Sequence, residues 1–123
     1  MSAHQLQFDS RALEEKGLGL RFKLPQLGEY ATGFVIRYEG KAYAYVNQCA
    51  HLPTELDWKE GEFFTVSKDY LICATHGAQY EPDTGHCVYG PCQGKRLRAI
   101  PVTEMNQQIT IHLEELHDYG RRK

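Results

Sequence analysis

The chain has 123 residues, 41% hydrophobic and 24% charged, which excludes a disordered chain and allows one hydrophobic core over residues 1–123. Its formal net charge is -2 with both signs interspersed, so it shows no basic face for a nucleic acid. The opening stretch lacks the positive and apolar regions of a signal peptide, and no apolar run reaches the ~20 residues of a membrane helix. The expectation is a soluble, cytoplasmic protein of one domain. In that compartment four cysteines read as metal ligands or thiols before they read as a disulfide framework.

In chain order, the first predicted element is a short helix over Arg11 to Lys16, capped by Asp9 or Ser10 and ended by Gly17. Strand signals follow. Phe34 to Tyr38 and Lys41 to Val46 flank Glu39-Gly40, a two-residue hairpin loop. In the second of these runs Tyr43 and Tyr45 share one face, and Ala42, Ala44 and Val46 the other. Tyr70 to Ile72 is a compact apolar strand. Asn106 to Leu113 alternates, with Ile109, Ile111 and Leu113 on one side. Pro82, Gly85, Gly90, Pro91 and Gly94 punctuate the intervening segments, and the tail from Glu114 is polar. Short strands with glycine and proline turns predict an all-β fold, an antiparallel sandwich or barrel.

Two short motifs carry the chemistry. Cys49-Ala-His51 follows the strand ending at Val46, and Cys73-Ala-Thr-His76 follows the strand ending at Ile72. Loops at two strand ends can bring two thiolates and two imidazoles to one point, which is a metal site. Two cysteines and two histidines suit tetrahedral zinc as well as iron–sulfur. A Rieske centre places both cysteines on one iron and both histidines on the other, so each loop supplies one ligand to each iron. The Cys-x-His and Cys-x-x-His spacings meet that requirement. Common zinc modules instead group like with like, and no H-x-x-x-H helix is present. A plant-type cluster fails on spacing, because Cys87 and Cys92 are followed by no third cysteine.

On these residues the chain resembles the Rieske ferredoxin family. Cys49-Ala-His51-Leu52 is similar to its first cluster loop and Cys73-Ala-Thr-His76-Gly77 to its second. Gln79 to Gly85 is similar to the strand and turn that come next, and Gly90-Pro91 resembles the proline loop covering the cluster from a third side. The resemblance implies a Rieske-like β-sandwich with a cluster-binding subdomain at about residues 47–94. It also implies one [2Fe-2S] cluster held by Cys49, His51, Cys73 and His76. The first loop departs from the pattern: Leu52-Pro53-Thr54-Glu55 lacks the glycine often found there.

Two neutral imidazoles in place of two thiolates make the centre less negative and easier to reduce. This accounts for Rieske potentials of roughly −150 to +300 mV against about −400 mV for plant-type ferredoxins. The resemblance implies exposed histidine ligands at His51 and His76 and a hydroxyl donor at Tyr80. Ala78 stands where high-potential relatives place a serine. Gly77 would let the backbone approach the cluster closely. Leu52, Pro53 and Pro91 would form an apolar rim for transient docking.

Plainer readings stand beside these. The four ligands could form a structural zinc site. Cys87 and Cys92 read as ordinary thiols near the cluster, with a disulfide as the competing reading. His4, His86, His112 and His117 read as solvent-facing or strand residues, with a docking role open for His86. The chain shows no mononuclear-iron triad and no nucleotide fingerprint. The expected function is therefore a soluble carrier, passing single electrons from a flavin-dependent reductase to an oxygenase or similar acceptor. The alternatives are a non-catalytic small subunit of a nitrite-reductase-like enzyme and a redox or iron sensor.

Overall fold

The computed structural model describes residues 5–29, 31–48, 55–57, 59–73, 77–90 and 94–113. They form ten strands in three antiparallel sheets, with two short 3-10 turns and no α-helix among the described residues. The central sheet has the order β2 (Leu20–Lys23), β3 (Thr32–Tyr38), β4 (Lys41–Val46) and β8 (Ala99–Ile100). Against one face lies the sheet of β1 (Gln5–Asp9), β10 (Gln108–His112) and β9 (Val102–Met105). Against the other lies a small sheet of β5 (Leu71–Ile72), β6 (Gln79–Tyr80) and β7 (Cys87–Tyr89). The all-β expectation holds. No helix of the described residues is long and apolar enough to cross a membrane.

The central sheet is buried on both sides, and its sequence says why. Phe34, Val35 and Ile36 are consecutive and all fully buried, whereas a strand with one wet face would alternate. Phe34, Ile36 and Tyr45 face a core shared with Leu71, Cys73, Ala78 and Tyr80 of the small sheet. Val35, Ala44 and Val46 face a second core shared with Ile109 and Ile111. The two faces predicted for Lys41 to Val46 are therefore the ones observed. Glu39 and Gly40 form the expected hairpin loop, both with positive φ (51° and 85°) and flanked by the Tyr38–Lys41 pair.

Two expectations are corrected. The predicted helix from Arg11 to Lys16 is a 3-10 turn at Ser10–Ala12, followed by an extended Leu13 and a turn closed by Gly17 N–H donating to Glu14 O at 3.1 Å. Asp9 does cap it, accepting from the Arg11 backbone N–H at 2.8 Å. The turn goes no further because Arg37 takes the carbonyls a helix would use, donating to Leu13 O at 3.1 Å and Ser10 O at 3.2 Å. Leu13 is buried and Glu15 bridges to Arg37 in parallel. The predicted strand from Asn106 begins two residues later, since Asn106 and Gln107 have positive φ and form the hairpin turn from β9 to β10. Ile109, Ile111 and Leu113 are buried together as expected.

The small sheet is fastened to the central one by the chain between β7 and β8. Cys87 N–H donates to Lys95 O at 2.9 Å, Leu97 N–H to Gly85 O at 2.8 Å, and Val46 N–H to Arg98 O at 2.9 Å. One segment thus bonds first to the small sheet and then to the end of β4. This puts the exit of β4 beside the β6–β7 hairpin of the small sheet.

Candidate metal centre

The second predicted ligand loop can be followed at its neck. The β5–β6 register pairs Leu71 with Tyr80 and Ile72 with Gln79. It continues through Cys73 N–H, which donates to Ala78 O at 2.8 Å, while Gly77 N–H donates to Cys73 O at 2.8 Å. The loop is therefore a closed hairpin tip of which Cys73 is the first residue. His76 lies outside the described residues, as do Cys49, His51 and Pro91. Gly77 has φ +76°, and a Cβ there would meet no atom of the other described residues within 4 Å. The left-handed backbone that reverses the chain here favours glycine.

Cys73 is fully buried among Leu71, Ala78 and Tyr80. Leu71 and Cys73 lie two apart on one strand, and Ala78 and Tyr80 two apart on its partner, so alternation turns all four the same way. Burial disfavours a bare thiolate. A cation at the sulfur removes that penalty, so the position fits a metal-bound thiolate emerging from a dry wall. Ala78 brings no hydroxyl, and Tyr80 is fully buried in the same wall.

Gly90 follows directly on β7. Its φ is +100°, and a Cβ there would lie 3.0 Å from Ala78 Cα and 3.4 Å from Ala78 N. Gly90 is therefore pressed onto the backbone just beyond the second loop, and no larger residue fits without moving it. Just before Gly90, Val88 and Tyr89 are exposed. Cys87 belongs to a disulfide, which corrects its reading as an ordinary thiol. The partner sulfur lies outside the described residues, as does Cys92.

The first loop begins after β4, where Asn47 N–H donates to Thr32 O at 2.8 Å and Gln48 N–H to Val46 O at 2.9 Å. Beyond it, Glu55 accepts from Arg21 and from Thr32 Oγ1, each at 2.6 Å. Sequence reasoning passed over Asn47 and Asp57, the two buried polar residues of the described chain. A polar side chain at the end of an otherwise apolar strand was the available signal. His86 bridges to Arg96 across the β7–β8 segment, and His112 is a β10 residue, in keeping with their plainer reading. His4 and His117 lie outside the described residues.

Three antiparallel sheets, with a buried thiol at the neck of a hairpin and Gly90 packed against Ala78 beside it, define a small all-β domain. The chain belongs to the Rieske [2Fe-2S] domain family, whose model matches residues 22–110, and the cofactor of that family is one [2Fe-2S] cluster. The fold is similar to the ferredoxin of carbazole 1,9a-dioxygenase from Nocardioides aromaticivorans IC177. That match has a TM-score of 0.67 and 21% identity, covering 89% of this chain and 97% of the other. A chain in a complex of reduced oxygenase and oxidized ferredoxin in carbazole 1,9a-dioxygenase matches with a TM-score of 0.70 and 20% identity, covering 89% and 94%. A further match is to a complex of fluorene-bound oxygenase and ferredoxin of that dioxygenase, with a TM-score of 0.71 and 23% identity. It covers 89% of this chain but only 29% of the matched one. No curated protein sequence matches.

Proposed function

We propose that this chain is a single-electron carrier holding its [2Fe-2S] cluster through Cys49, His51, Cys73 and His76. The observation that carries the reading is the fully buried Cys73 at the first position of a hydrogen-bonded hairpin tip, in a chain that the Rieske domain model matches over residues 22–110. When bound, the cluster accepts and releases one electron at a time. The chain's own residues set how easily it does so. The apolar wall of Leu71, Ala78 and Tyr80 lowers the local dielectric at the Cys73 sulfur. The Ala78 side chain has no hydroxyl to donate to a sulfide, which favours a potential below that of relatives with a hydroxyl there.

The partners we assign are a flavin-dependent reductase as donor and an oxygenase as acceptor. The support is likeness in fold to a ferredoxin of carbazole 1,9a-dioxygenase and to chains from oxygenase–ferredoxin complexes. The exposed Val88 and Tyr89 beside Gly90 suit a small, transient docking face. A cytoplasmic location belongs to the same proposal and follows from the reductase partner alone; cell fractionation checks it.

An EPR spectrum of the dithionite-reduced protein tests the assignment. A rhombic signal of lower average g than all-cysteine clusters give, with equal iron and acid-labile sulfide, supports it. A silent, colourless protein containing zinc overturns it. Pull-down from the native host then tests the partners, and a stable large catalytic subunit in place of a reductase would favour a subunit role.

A further inference from the structure

Asn47 and Asp57 stand at opposite ends of the segment that holds Cys49 and His51, and their side chains join across its base. Asn47 Nδ2 donates to Asp57 Oδ1 at 3.0 Å. The other end of the same amide, Oδ1, accepts from the Leu56 backbone N–H at 2.9 Å. The second oxygen of Asp57 accepts from the Gly61 N–H at 2.9 Å and faces Arg21 Nε at 3.6 Å. Both residues are buried, Asn47 at 4% and Asp57 at 7% exposure. Arg21 also reaches Glu55, and Thr32 holds both sides, accepting from Asn47 N–H and donating to Glu55. Entry and exit of the loop are therefore tied by side-chain hydrogen bonds as well as by backbone.

Stability alone does not explain the pair. A buried amide and carboxylate lose hydration, and well-packed apolar residues of similar volume commonly serve stability as well or better. What an apolar pair cannot do is define a separation and an orientation through directional bonds. The polar pair sits where such definition matters to the loop that follows Gln48.

We propose that Asn47 and Asp57 form a positioning latch that holds the first loop in metal-ready form before metal arrives. The inference rests on the assignment of Cys49 and His51 as ligands. Neither latch residue touches the metal; each acts through the loop ends.

The test is a reciprocal exchange. In Asn47→Asp two carboxylates face each other, and in Asp57→Asn one of the donors N–H of Gly61 or Nδ2 of Asn47 loses its acceptor. In the double variant Asn47→Asp/Asp57→Asn the new amide at 57 donates to the carboxylate at 47 and accepts from Gly61, while that carboxylate accepts from Leu56. All three bonds return, and only the one between positions 47 and 57 has its direction exchanged. Metal release is followed well below each variant's melting temperature, by loss of visible absorption for iron–sulfur or by transfer to a colorimetric chelator for zinc. Each single variant should release metal roughly tenfold faster or more, the scale of lost outer-shell support, and the double should return most of the way to wild type. If Asn47→Asp does not fold, Asp57→Asn against the double supplies the same comparison.

Single variants that stay folded and release at the wild-type rate overturn the latch, as does a double no slower than the faster single. The metal found in the wild-type chain separately tests the cluster assignment: zinc would sink the cluster and leave the latch comparison intact. A wild-type chain that binds neither metal overturns both.

Discussion

Tyr45 of the central sheet donates a 2.8 Å hydrogen bond to the carbonyl of Pro82, in the turn between β6 and β7. The phenol is 2% exposed and packs on Phe34 at a centroid distance of 5.8 Å. Gly85, in the same turn, is close enough that a Cβ would lie 2.9 Å from the Tyr45 ring. One side chain thus fastens the small sheet carrying Cys73 to the strand that leads into the first ligand loop. Tyr45→Phe leaves the buried Pro82 carbonyl without this donor and should cost about 1–3 kcal/mol. Urea titration of the metal-free protein measures it as a lower midpoint.

The same residue gives a pH prediction. Burial, with Asp83 nearby, pushes the Tyr45 phenol far above its ordinary range. The folded state therefore holds this proton more tightly than the unfolded state. The associated stability is complete below the unfolded tyrosine value of about 10 and declines as pH rises above it, until the folded phenol itself ionises. Wild type should lose more stability than Tyr45→Phe between neutral and strongly alkaline pH. Parallel profiles would refute the burial of an ionisable group at this position.

Arg37 and Glu104 predict the acid side. Arg37 Nη1 and Nη2 donate to the two carboxylate oxygens of Glu104 at 3.0 and 2.7 Å, and this pairing lowers the Glu104 pKa. A lowered carboxylate contributes stability that is present above its unfolded value of about 4.3 and is lost as pH falls below it. Glu104→Gln should flatten the decline in stability below about pH 5. Arg37→Met should cost more, about 2–3 kcal/mol, because it also strips donors from the carbonyls of Ser10 and Leu13.

Gly77 and Gly90 should respond differently to the same change. At Gly77, among the described residues, the positive φ alone opposes a side chain, so Gly77→Asn should be mild and Gly77→Val costlier, by about 1–2 kcal/mol. At Gly90 the backbone of Ala78 blocks the Cβ as well. Gly90→Ala should exceed Gly77→Ala in stability loss and shift the cluster spectrum, since the strain falls next to the second loop.

Cys87 predicts a mass. Its disulfide should make the protein two hydrogens lighter without reductant, and peptide mapping identifies the partner. Cys92 is the expected one, because Cys87 N–H bonds to Lys95 O and so closes the loop containing it. A link from Cys87 to Cys49 would remove a proposed ligand and argue against the cluster assignment.

Much of this protein is written locally. The Glu39-Gly40 hairpin, the two faces of Lys41 to Val46, the alternation through Ile109 and Ile111, and the pair of Cys/His motifs all depend on residues a few positions apart. Backbone sterics and strand periodicity act over that range, so the sequence alone determines them. Tertiary structure decided the rest. Arg11 to Lys16 has the makings of a helix, yet Arg37, far along the chain, takes its carbonyls. Phe34 to Ile36 became a strand buried on both faces only because two other sheets cover it. The joining of Asn47 to Asp57 and of Tyr45 to Pro82 has no signature in spacing, since a side-chain hydrogen bond across a fold is set by where distant backbones arrive.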